Sequence, residues 1–136
     1  MSAFVWPVRV YWEDTDAGGV VYHARYLHFL ERARTEWLRS CDYEQGHLSD
    51  SIDMVFAVRN MNINFLKPAK LDDLLHVRIT LSECRRASFV AQHEIWRDKE
   101  LLLTGSAQIA CLSASAFKPR AIPEPLLQLI KAGVSA

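Results

Sequence analysis

The chain has no excess charge of either sign. Sixteen Lys and Arg offset sixteen Asp and Glu, so no net field draws the whole molecule to nucleic acid or to an acidic membrane surface. Cysteine is scarce: Cys41, Cys84 and Cys111 are widely spaced and form no C-x-x-C pair, the pattern of ordinary thiols in a reduced, cytoplasmic protein. No apolar run approaches the ~20 residues of a membrane span. The first ten residues carry Trp6-Pro7 and Arg9 and no long apolar stretch, so no secretory leader is expected there. Internal repeats, low-complexity tracts and flexible linkers are also missing. What remains is a chain that is half hydrophobic and 24% charged, the profile of a soluble globular protein. Its length suits one domain, residues 1–136, able to bury roughly 68% of the surface its unfolded chain exposes.

The hydrophobic pattern changes period along the chain. Val5 to Trp12 mixes β-branched and aromatic residues and predicts a first strand, with Pro7 marking an edge. From Arg25 to Cys41 the pattern is helical: Tyr26, Phe29, Leu30, Ala33, Trp37 and Leu38 recur at three- and four-residue steps. Strands follow. Asn60–Phe65, Leu75–Ser82 and Ser106–Cys111 alternate with period two, and Phe89–Trp96 has strand composition with a less clean alternation. A short apolar tail, Leu126–Ile130, predicts a small helix after Pro123 and Pro125. Five strands at ~4.8 Å spacing make a sheet ~24 Å wide, and a helix of about 16 residues is also ~24 Å long. One antiparallel sheet curled around one helix would bury both apolar faces. It leaves an edge strand open, so pairing with a second subunit is expected.

The chemically densest stretch precedes the helix: Glu13, Asp14, Thr15, Asp16, Ala17, Gly18, Gly19, Val20, Val21, Tyr22 and His23. Glycines let the backbone approach a ligand closely. The N-terminus of a helix offers free N–H groups, and such groups can hold the oxyanion formed in acyl transfer. A carboxylate nearby can attack the carbonyl or activate a water. On spacing alone, an Asp in this position is as well explained as a helix cap, and His23 as a hydrogen-bonded structural residue. A calcium loop starting at Asp14 would need a bidentate Glu at its twelfth position, which is Arg25. His23 and His28 are five apart and do not share a helix face, which argues against a zinc pair. No metal and no cofactor are expected.

The stretch Val10-Tyr-Trp-Glu-Asp-Thr-Asp-Ala-Gly-Gly-Val-Val-Tyr-His-Ala-Arg-Tyr26, followed by Phe29-Leu-Glu-Arg-Ala-Arg34, resembles the 4-hydroxybenzoyl-CoA thioesterase family. It is most similar to that family's Tol–Pal-associated acyl-CoA thioesterase branch, the YbgC type. The resemblance continues through Val58–Met61, Pro68–Asp73 and Phe117–Pro123. It implies an α+β hotdog fold, an antiparallel sheet of five or six strands wrapped around one long helix. It implies a homo-oligomer, dimer or homotetramer, that hydrolyses acyl-CoA or acyl-carrier-protein thioesters. Position by position, the family's catalytic acid falls on Asp16 rather than Asp14. The N–H that polarises the thioester carbonyl falls within Gly19 to His23. His23 matches a histidine of the Tol–Pal-associated branch that the hydroxybenzoyl branch lacks, which favours an aliphatic acyl group.

Tyr22 is a candidate for the acyl pocket; Glu31 is read as a packed or solvated surface residue. CoA carries phosphates, so basic groups should meet it. Arg85 and Arg86, followed by Ser88, lie between two predicted strands; Lys118 and Arg120 follow the last one. Related thioesterases contact CoA phosphates at similar positions. The alternatives are a solvated turn and an anchor for the C-terminal segment. Cys84 beside two arginines is a candidate for a depressed pKa, with His93 on the neighbouring strand, but it is read as structural. Two other functions compete. A hotdog hydratase would need a different motif around a catalytic histidine, which is not found. An acyl-binding or scaffold role at a cell-envelope or lipid-synthesis complex stays open through the Tol–Pal association.

Overall fold

The computed structural model describes residues 3–43 and 52–135. In chain order the elements are β1 (Phe4–Arg9), a 3-10 turn (Trp12–Asp14), α1 (Arg25–Ser40), β2 (Met54–Phe65), β3 (Leu74–Cys84), β4 (Ser88–Arg97), β5 (Glu100–Ser113) and α2 (Glu124–Ser135). The strands form one sheet in the order β1-β3-β4-β5-β2, every neighbouring pair antiparallel. β1 and β2 are its edges.

The helical spacing puts Tyr26, Phe29, Leu30, Ala33, Arg34 and Leu38 on the buried side of α1. The period-two spacing puts Leu75, Val77 and Ile79 of β3, Phe89, Ala91 and Ile95 of β4, and Leu103, Ala107 and Ile109 of β5 in the same core. Arg78, Thr80, Gln92, Asn60, Asn62 and Asn64 are exposed, on the opposite face. Phe29 and Leu30 are fully buried, and each such side chain contributes about 1.5–3 kcal/mol. The helix is thus held by its packing more than by its caps: Ala24 before it makes no side-chain capping bond. α2 lies along β3 and buries Leu126 and Ile130 completely. This is the hotdog arrangement of the expected α+β class, with five strands among the described residues.

Several boundaries differ from the sequence pattern, each for a physical reason. β1 ends at Arg9, not Trp12, because Val10 leaves the β1–β3 register: its N–H bonds the Asp73 carbonyl and its carbonyl takes the Asp72 N–H. β2 starts at Met54, not Asn60; a register shift between Val58 and Asn60 breaks the alternation that marks a strand. β5 starts at Glu100, not Ser106. Leu102 and Leu103 are both buried, so the alternation that marks a strand is lost there; the Leu102 carbonyl accepts the N–H groups of Leu66 and Lys67 just after β2. The tail helix, expected over 126–130, runs from Glu124 to Ser135.

Candidate active site

The loop between β1 and α1 is built around a buried acid. Asp14 is 2% exposed. One of its oxygens accepts the Tyr11 N–H at 2.8 Å and the other the Arg25 Nε–H at 3.0 Å. Its carbonyl accepts the Tyr22 N–H at 2.9 Å, so one residue fastens both ends of the loop and the start of α1. The family-implied acid, Asp16, is held differently. Its side chain is exposed, and its Oδ1 accepts the Gly18 N–H at 2.8 Å. Its Oδ2 has no hydrogen-bond partner among the described residues. The Asp16 N–H donates to Val20 O, and Asp16 O accepts from Gly19 N, both at 3.0 Å. This tight turn requires the positive φ of Gly19, +80°. At Gly18 a Cβ would sit 3.1 Å from Asp16 Oδ1, so a larger residue there would press on the Asp16 carboxylate.

The backbone hydrogen bonds narrow the candidate oxyanion donors. Within Gly19 to His23, Gly19, Val21 and Tyr22 all donate to carbonyls, of Asp16, Ala69 and Asp14 respectively. The N–H groups of Val20 and His23 have no partner among the described residues and remain available. In the same loop, Asp16 opens on a hollow of about 440 Å³ lined also by Trp12, Thr15, Ala17, Gly19 and Leu71. The exposed His23 ring packs 4.6 Å from that of Tyr22 and 6.4 Å from that of Phe65. His23 and Tyr22 therefore share the loop with Asp16, in an aromatic cluster and not in a hydrogen-bonded dyad.

A second loop, which sequence reasoning did not connect to the site, supports the first. Tyr26 is buried, and its hydroxyl oxygen accepts the Ala69 N–H at 3.0 Å. Burial pushes the Tyr26 phenol pKa up, and the Ala69 bond opposes the shift. Arg97 binds Asp73 at 2.7 Å, Glu100 at 2.8 Å and the Pro68 carbonyl at 3.2 Å. The signal for this support was in the sequence, as the Pro68-Ala69-Lys-Leu-Asp-Asp73 segment, but its partner strand was not.

The basic residues lie elsewhere. Arg85 and Arg86 are exposed in the β3–β4 turn, where Arg85 N–H donates to Ser88 O at 2.7 Å and the Arg85 side chain pairs with Glu83 at 3.0 Å. Ile122 N–H donates to Arg86 O, and Arg120 N–H to Cys111 O. The structure thus brings Arg85, Arg86 and Ser88 together with the segment holding Lys118 and Arg120, as one basic end of the sheet. It does not bring that end to Asp16 within one chain. The 11 residues of β3 separate the two ends, roughly 35 Å at strand rise.

The remaining candidates are corrected or explained. Cys84 faces Phe89 across β3–β4, whereas His93 faces Ile79, so the two do not form a dyad. The Cys84 thiol pKa is raised by burial, not depressed by arginine; Arg85 is engaged by Glu83. Asp14, first in the calcium-like pattern, is already neutralised by Arg25. Glu31, exposed, borders a cavity under α1.

Comparison with known proteins agrees with the fold. Residues 18–104 match the thioesterase superfamily. The acyl-CoA thioesterase YbgC of Haemophilus influenzae is 45% identical over 123 residues, 90% of each chain. The acyl-CoA thioester hydrolase YbgC of Escherichia coli is 42% identical over 131 residues, 96% of this chain and 97% of that one. Among solved structures, a probable thioesterase from Bartonella henselae superposes with a TM-score of 0.86 at 38% identity, covering 90% of this chain and all of that one. A 1,4-dihydroxy-2-naphthoyl-CoA thioesterase from Synechocystis reaches 0.87 at 26% identity, with 96% of each chain covered. A fold, a loop and relatives that agree over nearly the whole length place the protein: the chain belongs to the thioesterase superfamily.

Proposed function

We propose that the chain hydrolyses aliphatic acyl-CoA thioesters, with Asp16 as the catalytic acid and the His23 and Val20 N–H groups as the oxyanion donors. The observation that carries this reading is the Asp16 carboxylate itself. One oxygen is fixed by Gly18 and the other is free, a few residues from the unpaired N–H donors of the same loop. Asp16 attacks the thioester carbon, or removes a proton from the water that does. Charge then builds on the carbonyl oxygen, where fixed N–H donors stabilise it without reorganising. The C–S bond breaks, the sulfur leaves and takes up a proton, and one water is consumed to give acid and thiol. His23 and Tyr22, exposed and in ring contact on the same loop, would present their rings to the substrate.

The edge strand β2 supports a homo-oligomer. Its Phe65 end lies against His23, and its Met54 end adjoins the segment bearing Lys118, through Asp53 and Ser115. An antiparallel two-fold pairing through β2 would set the Asp16 end of one protomer beside the basic end of the other. That arrangement gives Arg85, Arg86, Lys118 and Arg120 a place on the CoA phosphates that a lone chain does not provide. Dimer and tetramer both contain such a pair. No described helix is long and apolar enough to cross a membrane; with Cys41, Cys84 and Cys111 all free, the cytoplasm is the proposed location.

A thiol-release assay over a panel of acyl-CoA and acyl-carrier-protein thioesters tests the function. Turnover should occur on aliphatic acyl-CoA and fall by at least about 10²-fold in Asp16→Asn, with the circular dichroism spectrum unchanged. Near-full turnover by Asp16→Asn would remove Asp16 from the chemistry. Absence of thiol release from every thioester, with an envelope complex still captured, would favour the Tol–Pal scaffold reading instead.

A further inference from the structure

The space between α1 and the sheet holds a charge that the chemistry at Asp16 does not use. Arg34 lies on the buried side of α1 and is 9% exposed. Its Nη1 donates to His93 Nε2 at 3.1 Å, and this is its one hydrogen bond among the described residues. None of the described carboxylates forms an ion pair with it; Glu31, one turn earlier, acts on it through space. Because Nε2 accepts from a guanidinium, the His93 ring is neutral with its proton on Nδ1. His93 is 1% exposed; the Gly105 backbone acts on its ring, and Nδ1 has no partner that meets hydrogen-bond geometry among the described residues. The pair is therefore a permanent cation backed by a neutral ring.

The cavity in front of this cation has a volume of about 260 Å³, with Arg34 and Glu31 among its walls. The rest of the lining is largely apolar, including Trp37, Phe56, Val58 and Phe89. The guanidinium cannot discharge by losing its proton. A wholly apolar guest would displace water from that charge and leave it without an anionic partner, which is costly. A small inorganic anion would leave the aromatic walls facing water. A guest carrying both a carbon chain and an anionic oxygen pair satisfies both, and a carboxylate matches the guanidinium fork. The volume falls just under the ~300–1,000 Å³ of drug-sized pockets, so it suits one short chain and excludes a CoA headgroup.

We propose that this cavity binds an aliphatic carboxylate, with the carboxylate on Arg34 and the chain against Trp37, Phe56 and Phe89. The carboxylate comes either from a free acid or from the far end of an acyl tail. Assignment to the acyl tail rests on the thioesterase reading above; the binding itself does not.

Calorimetric titration of the full chain with octanoate and with 1-octanol tests it. Octanoate should bind the wild type and lose about tenfold or more in affinity in Arg34→Met, while 1-octanol should not distinguish the two. Glu31→Gln removes a like charge at the cavity wall and should tighten octanoate. In wild-type crystals soaked with 8-bromooctanoate, the bromine's anomalous peak should lie among the apolar walls, away from Arg34. If Arg34→Met does not fold, Glu31→Gln and the bromine position decide. No octanoate binding at millimolar concentration, equal affinity in Arg34→Met, or only water at Arg34 would overturn the proposal. Once binding is established, a KM that is lower for 7-carboxyheptanoyl-CoA than for octanoyl-CoA in the wild type, and equal for the two in Arg34→Met, assigns the guest to the acyl tail. Equal KM values in the wild type assign it to a free acid at a separate site.

Discussion

Lowering the pH should destabilise the protein through His93, and the size of the effect follows from the site. Burial first, and then the Arg34 charge, push the His93 pKa down from 6.5 to about 3, with the Gly105 backbone opposing. The folded pKa thus lies below the unfolded one. Above pH 6.5 the ring is neutral in both states and costs nothing. As the pH falls below 6.5, the unfolded chain takes up a proton that the folded ring refuses, and stability drops by about 1.4 kcal/mol per pH unit until the folded ring titrates near pH 3. Between pH 7.5 and 4.5 the loss from this ring is about 2.7 kcal/mol. His93→Gln keeps a neutral acceptor for Arg34 and has no such titration, while every other carboxylate and histidine is common to both proteins. Urea unfolding at pH 7.5 and 4.5, at fixed protein concentration, measures the difference. With a slope of about 2 kcal/mol/M, the wild-type midpoint should fall by about 1.3 M more than that of His93→Gln. Equal falls would show that the ring is protonated in the folded state and that the neutral Arg34–His93 pair is wrong.

Further tests address the loop and the sheet. Asp14→Ala strands the Tyr11 N–H and the Arg25 guanidinium, and should cost about 3 kcal/mol in chemical unfolding; a loss below ~1 kcal/mol would deny Asp14 its fastening role. Gly18→Ala should lower kcat about tenfold with little change in Tm, because the new methyl presses on Asp16 Oδ1. Gly105→Ala should do the reverse. Its Cβ would meet Ile63 Cδ1 at 2.8 Å and the Asn62 carbonyl at 2.9 Å, so β2 must move off β5 at about 1–3 kcal/mol, read as a lower Tm. Charge reversal at Arg85 and Arg86 should raise KM for acyl-CoA more than it lowers kcat; an unchanged KM would take both out of the CoA site.

The parts of the fold that repeat were legible in the sequence. α1 was readable to within a residue because its buried positions follow one period through Tyr26, Phe29, Leu30, Ala33 and Leu38. The cores of β3 and β4 were readable for the same reason. The starts of β2 and β5 were not, because there the period breaks: a register shift follows Val58, and adjacent Leu102 and Leu103 are both buried. Local motifs placed Asp16, Gly19, Tyr22 and His23 in one loop. Contacts between distant segments left no local trace. Tyr26 to Ala69, Arg97 to Asp73 and Arg34 to His93 each join residues that no spacing rule relates. His93 blurred the alternation of β4 because a polar ring occupies an inward position, and the Arg34 that balances it is on α1.

The two acids of Asp14-Thr-Asp16 are held differently, and the proposed chemistry rests on that difference. A carboxylate that must hold a loop cannot also be free to attack. Asp14 has both oxygens committed, to Tyr11 and Arg25, and is closed off from water. Asp16 has one oxygen committed and the other open to the hollow. The committed oxygen sets the direction of the free one, because Gly18 donates to it from within the same turn. The backbone divides in the same way: Gly19 and Tyr22 donate within the loop and Val21 to Ala69, whereas the Val20 and His23 N–H groups have no partner among the described residues. Exchanging the two acids' surroundings is therefore the sharpest challenge to this assignment. Asp14→Asn should weaken the loop yet leave measurable turnover in the fraction that stays folded, whereas Asp16→Asn should leave the loop intact and the chemistry lost.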